Sequence, residues 1–211
     1  MRAVAQGTYR YWRDGALQAI TEPWQLRRTP DGLVLKGQRL VDGKPALEIE
    51  AQYGGGLCSA MRLHWRGSDQ DSRVHYRRCG ETLEWRFDDD AGFQVFVLPQ
   101  GCLLFPLLRA AAGPLVRKLA DSPRSLVLPA LHNPADSERF LRPLLSARRA
   151  VLLDGKAGHY RYYGGEYGEQ GSDYWLDQQG LLLRYRWDSP QGVWEVRLED
   201  HSASARDTVP E

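Results

Sequence analysis

Residues 47–87 read LEIEAQYGGGLCSAMRLHWRGSDQDSRVHYRRCGETLEWRF, an almost unbroken alternation of apolar and polar residues. Leu47, Ile49, Ala51 and Tyr53 alternate with Glu48, Glu50 and Gln52. Met61, Leu63 and Trp65 alternate with Arg62, His64 and Arg66. Val74 and Tyr76 stand between Arg73, His75 and Arg77, and Leu83, Trp85 and Phe87 between Glu84, Arg86 and Asp88. A period of two sends one set of side chains to each face of a strand. One dry face and one wet face is the condition of an antiparallel sheet. Gly54-Gly55-Gly56 and Cys79-Gly80 separate the runs as turns.

The flanking sequence keeps the same habit. Asp14-Gly15, Asp31-Gly32, Asp42-Gly43 and Gln179-Gly180 are hairpin signals. Strands are predicted at 148–153, 159–163, 172–176, 180–187 and 193–199. In the fourth of these, Leu181, Leu183, Tyr185 and Trp187 form the apolar face. The expected fold is all-β with minor α. It is a single antiparallel β-roll or half-barrel of roughly twelve or more strands, covering residues 1–200. The polar tail 201–211 is expected to be disordered. Residues 24–51 and 174–199 echo each other weakly, through chance patterning or duplication.

The polar faces are patterned too. Glu48 and Glu50 precede Arg62 and Arg66, then Arg73 and Arg77, then Glu84. Cross-strand pairs of this kind contribute roughly 0.2–1 kcal/mol each and fix register. Such a face is a solvated charge ladder or a polar binding surface.

Residues 101–147 break the rule and are expected to be a helical insertion. In GCLLFPLLRAAAGPLVRKLA (101–120), Leu104, Leu108, Ala111, Leu115 and Leu119 recur at three or four residues. Pro106 suits a first turn, and Gly113-Pro114 is expected to split the segment into two short helices. A further helix is predicted at about 136–147, capped by Asp136 or Ser137, with Phe140, Leu141, Leu144 and Leu145 on its apolar face. A short strand is expected at 126–128.

The 211 residues are 42% hydrophobic and 26% charged, with a formal net charge of +1. No global field draws nucleic acid. The arginines and aromatics of YRYWR and RYRW alternate onto opposite faces, which works against a base-stacking platform. The start of the chain has no apolar signal region, and Arg109, Arg117, Lys118 and two prolines interrupt the 101–120 run. The expectation is a cytoplasmic protein without a transmembrane segment. Cys58, Cys79 and Cys102 are odd in number and lack metal-ligand spacing, so no disulfide framework, metal or cofactor is expected.

Short catalytic motifs are absent. His64 and His75 lie on neighbouring predicted strands, near Asp69 and Asp71, but among arginines that repel a cation. His132 lies in a loop with turn and capping residues. His159 opens a tyrosine-rich stretch that either packs the end of the sheet or lines a pocket for a sugar or amphiphilic head group. Asp88-Asp89-Asp90 reads as a hairpin turn.

In YYGGEYGEQGSDYWLDQQGLLLRY (162–185), Tyr163, Tyr167, Trp175, Asp177, Gly180 and Leu181 follow an aromatic-strand, Asp-x-x-Gly turn, strand pattern. This resembles the spiral β-roll proteins, of the type of the periplasmic lipoprotein carriers and the glycolipid-binding family. The resemblance implies a roll with mid-chain helices as plug or lid, and an apolar ligand inside it.

The expected function is non-catalytic binding of a lipid-like or glycolipid-like molecule on the concave face. Leu104, Leu108, Leu115 and Leu119 would cover it. Trp65, Trp85, Trp175 and Trp187 would line it, with Tyr163 and Tyr167 at the mouth. The alternatives are a hydrolase-type enzyme using His132, His159 and nearby acids, or an interaction module that exposes the 101–120 stripe to a partner. Oligomeric state is not written in the sequence.

Overall fold

Asp14 and Asp42 have left-handed backbone, φ 51° in both, and each is followed by a glycine, at φ 79° and 73°. Two successive positive φ angles make the tight turn whose twist matches paired strands, so each Asp-Gly closes a two-residue hairpin. The computed structural model describes residues 2–67, 70–131, 136, 138–153, 158–164 and 170–203. Its first meander comprises β1 (Arg2–Arg13), β2 (Ala16–Thr29), β3 (Gly32–Val41), β4 (Lys44–Gly54), β5 (Leu57–Arg66), β6 (Asp71–Cys79), β7 (Thr82–Phe87) and β8 (Gln94–Val97). The chain then crosses to β9 (Leu103–Leu104) at the opposite edge. It returns through β10 (Arg124–Pro129), β11 (Pro143–Leu152), β12 (His159–Tyr163), β13 (Ser172–Leu176), β14 (Leu182–Ser189) and β15 (Gly192–Ala203).

These form one 15-stranded sheet in the order β8 through β1, then β15 back through β9. Neighbours are antiparallel except β9 and β10. The sheet curls so far that β9 packs against β5, and the inner face becomes one continuous core. Fully buried phenols tie it across: Tyr9 Oη donates to the Leu182 carbonyl at 2.9 Å, and Tyr76 Oη to the Leu141 carbonyl. No helix among the described residues is long and apolar enough to cross a membrane.

The middle segment departs from expectation in two places. Residues 103–121 hold β9, a 3₁₀ turn (Arg109–Ala111) and a single helix, α1 (Ala112–Asp121). Pro114 falls in the first turn of α1, where a missing N–H costs nothing, so Gly113-Pro114 starts the helix instead of breaking it. Pro106 lies before the 3₁₀ turn, outside any helix. The helix predicted at 136–147 is a turn followed by β11. Asp136 does cap that turn, accepting from Arg139 N at 3.2 Å. However, Leu141 N bonds to Ala130 O at 2.7 Å and Ala130 N to Arg142 O at 3.0 Å, which commits the backbone to β10. Pro143 lacks the N–H that a helix would need.

Two smaller corrections concern register and length. Between β13 and β14 the pairing steps from Trp175–Arg184 to Leu176–Leu182, leaving Leu183 as an extra, outward residue. Leu182 and Tyr185 therefore face the core, in place of the Leu181, Leu183, Tyr185 row. At the end, residues 201–203 of the expected tail belong to β15, and residues 204–211 lie outside the described ones.

Candidate functional site

Glu22 is a carboxylate on the wrong face. It follows the inward parity of β2, between Ile20 and Trp24, and its relative exposure is 0%. A buried carboxylate is tolerated only when hydrogen-bonded and paired. Tyr11 Oη of β1 donates to Oε2 at 2.8 Å, Arg39 Nη2 of β3 to the same oxygen at 3.1 Å, and the backbone N of Arg109 to Oε1 at 2.6 Å. Arg109 Nε donates to Tyr11 Oη at 3.3 Å. Its guanidinium lies over the Tyr185 ring at 4.6 Å and the Trp187 ring at 5.8 Å. One guanidinium, that of Arg39, thus pairs with the carboxylate, and a second, that of Arg109, lies beside it against Tyr11 Oη inside an aromatic box.

The box sits near the end of the roll where the β1–β2, β3–β4 and β14–β15 hairpins turn. Its outer wall is Trp187 stacked on Trp194, centroids 5.6 Å apart and 8° from parallel, with Arg13 over Trp194 at 5.7 Å. Burial raises the Tyr9 and Tyr11 pKa values, aided by Glu22 and opposed by the arginines. Burial alone would lower Arg39 and Arg109, but Tyr11, Glu22 and, for Arg109, Tyr185 more than offset it. Tyr9 and Tyr11 keep their protons, and Arg39 and Arg109 their charge, at neutral pH. The two buried thiols are held unreactive by the same physical cause: burial pushes Cys58 up to about 12 and raises Cys102.

None of Tyr11, Glu22, Arg39 and Arg109 was singled out from the sequence. A signal was present in parity: Glu22 shares a face with Ile20, Trp24 and Leu26, and Arg39 with Leu35 and Gly37. A charged residue at an apolar parity marks a buried polar site.

The residues that were singled out divide by face. Leu104, Leu108, Leu115 and Leu119 are all buried against the sheet, so the 101–120 stripe meets the chain's own core and offers no surface to a partner. Leu108 seats in the hollow over Gly37, where an added Cβ would lie 2.8 Å from Leu108 Cδ2. At Gly113 an added Cβ would lie 1.8 Å from the Gly180 carbonyl oxygen, so α1 touches the β13–β14 turn backbone to backbone. Trp85 is buried and Trp65 packs edge-on against Phe140 at 5.3 Å, both inward as expected. Trp187 is inward at the roll end.

Trp175 and Tyr163 stand on the outer face, because Tyr174, Leu176 and Tyr162 take the inner positions. Trp175 is sandwiched between His159, stacked at 4.6 Å, and Arg184 at 4.5 Å from the neighbouring strands. Tyr163 carries Arg149 at 4.1 Å. Arginines and aromatics therefore share this outer face, contrary to simple alternation, but they cover one another. His159 also meets Asp173 at 3.2 Å, in a ladder with Arg161. Tyr167, His132, Asp69 and Glu166 lie outside the described residues. Among the described residues, no group of three or more His, Cys, Asp or Glu could hold a metal.

No family model matches this sequence, and no curated protein matches it. Solved structures similar to this chain include two domains of unknown function. One is a β-barrel-like protein of the domain of unknown function DUF1849 from Brucella abortus, at 9% identity and TM-score 0.57, covering 95% of this chain and 98% of that one. The other is a DUF1089 family protein from Pseudomonas aeruginosa, at 15% identity and TM-score 0.47, covering 82% and 87%. The first of these likenesses establishes a β-barrel-like fold for this chain, and the fold alone.

Proposed function

We propose that this chain is a non-catalytic binding module for a small amphiphile, lipid-like or glycolipid-like, taken up at the Trp187–Trp194 end of the roll. The observation that carries the reading is the two-to-one ratio of guanidinium to carboxylate around Glu22. The second guanidinium, that of Arg109, is met by the Tyr11 hydroxyl and by π-faces, a partial compensation that a polar or anionic head group would complete. The apolar body would lie along Trp187 and Trp194 and enter beneath the 101–121 cover, displacing Leu108 from its hollow over Gly37. The deeper contacts would be Trp65, Trp85, Leu104, Leu115 and Leu119. Leu107, at the joint just before the 3₁₀ turn, has φ 59°, an uncommon conformation for leucine that favours movement there.

Native mass spectrometry of protein purified from cells, followed by solvent extraction, is expected to reveal a bound amphiphile. Titration of the stripped protein with a single-chain anionic amphiphile should quench tryptophan fluorescence saturably, and Arg109→Gln should weaken that binding about tenfold. A clean mass together with a flat titration would overturn the proposal.

A further inference from the structure

The outer face of the first meander carries a second candidate, independent of the roll end. An open trough of about 720 Å³ runs over β1 to β7, and a smaller hollow of about 390 Å³ continues it past Gln6, Pro23 and Trp24. In its floor Arg62 is directly opposite His75, and His64 directly opposite Arg73. This is a square of four cationic or protonatable groups on two neighbouring strands, an arrangement that costs stability when like charges face each other.

The carboxylates around the square are already engaged. Glu50 holds Lys36 at 2.5 Å, and Glu48 takes Arg66 at 3.4 Å and His64 at 3.5 Å. Asp71 meets His64 at 2.7 Å, and Asp88 meets His75 at 2.6 Å and Arg73 at 3.9 Å. Arg62 pairs in register with Glu50, whose carboxylate has turned to Lys36. No hydrogen bond or ion pair engages the Arg62 guanidinium among the described residues. Its fork is left in the trough, and Arg73 and His75 of the neighbouring strand line the same hollow, so it is bordered by basic groups from two strands. A tetrahedral oxyanion presents oxygens in several directions and suits this better than a planar carboxylate does. The volume exceeds what a bare anion needs, and the amides of Gln6 and Gln38 face the same hollow. Neutral donor-acceptor groups of that kind match hydroxyls.

We propose that the trough binds a phosphorylated polyhydroxyl molecule, with its phosphoryl group on Arg62 beside Arg73 and its hydroxylated body toward Gln38 and Gln6. Such chemistry exists as a free sugar phosphate and as a phosphorylated lipid head group.

The test is calorimetric titration with glucose phosphate, with glucose as the uncharged control, alongside sedimentation with phosphatidylcholine vesicles with and without phosphatidylinositol phosphate. Arg62 is exposed and unpartnered, so Arg62→Ala should leave the fold intact. Arg186→Ala, on the outer face of β14, is the control for general charge. Saturable binding of glucose phosphate and not of glucose, weakened at least tenfold in Arg62→Ala and unchanged in Arg186→Ala, is the expected result. The same pattern on vesicles alone supports the site and assigns it to a lipid head group. Binding to neither probe, equal binding of glucose, or equal loss in the two variants would overturn the proposal.

Discussion

Glu22 and Glu195 have the same neighbours in kind and opposite surroundings. Each carboxylate lies between two arginines. Glu22 meets the Arg39 guanidinium and the Arg109 backbone N–H on the inner face, with its side chain 0% exposed. Glu195 meets Arg184 and Arg197 on the outer face, where all three side chains reach water. Outside, the ions form a ladder that water could replace at little cost. Inside, no water substitutes, so each oxygen of Glu22 is spoken for and a phenol is recruited as a third donor. Identical chemistry is thus a register device on one side of the sheet and an indispensable constraint on the other.

Breaking the inner triad should have the largest effect. Glu22→Ala leaves the Arg39 guanidinium without its ion-pair partner and the Arg109 N–H without an acceptor, and a loss of about 3–5 kcal/mol is expected in urea denaturation. A loss below about 1 kcal/mol would mean that water enters the roll end. Gly37→Ala drives a methyl into Leu108 and should cost about 1–3 kcal/mol. Part of that should return in the Gly37→Ala, Leu108→Ala double variant, which a double-mutant cycle would register as coupling.

A further loss is expected in alkali. Burial raises the pKa values of Tyr9, Tyr11, Tyr53, Tyr76 and Tyr174 above the usual phenol value. Their contribution is intact below about pH 10, where unfolded tyrosine ionises, and disappears as pH rises toward the folded values. Tyrosinate absorbance should therefore appear together with unfolding. The outer ladder should matter least. Burial disfavours ionised Glu195, and the hydrogen bonds from Arg197 and Arg184 outweigh it and hold its pKa low. Glu195→Gln should cost only about 0.2–1 kcal/mol at neutral pH. The wild-type advantage should vanish as pH falls below about 4, since a depressed acid loses its contribution on protonation.

The sheet was legible because alternation is a local signal. β12 and β13 were predicted to the residue, and the Asp-Gly turns fell where expected. Errors arose where long-range contacts overrule local pattern. Phe140 to Leu145 has helical spacing, yet β10 offers backbone partners that periodicity cannot reveal. The bulge at Leu183 moves one residue and reverses the parity of those before it. Of the binding residues, the cover leucines were legible from their stripe, whereas Trp175 was misplaced because an aromatic on a strand does not announce its face. Glu22 and Arg39 were visible only as exceptions to parity, and Arg109 reaches Glu22 from 87 residues further along the chain.

The pairing of β1 with β15 bears on how this chain is made. β1 to β8 and β10 to β15 are local runs that can form from consecutive hairpins, but they join at the middle of the sheet, through β1 and β15. During synthesis β1 must wait with one edge unsatisfied until β15, Gly192–Ala203, has emerged. A contact of such sequence separation pays its loop-closure entropy late, so folding should end in a slow step. Until then the growing chain presents an open strand edge, the surface on which nascent β proteins aggregate.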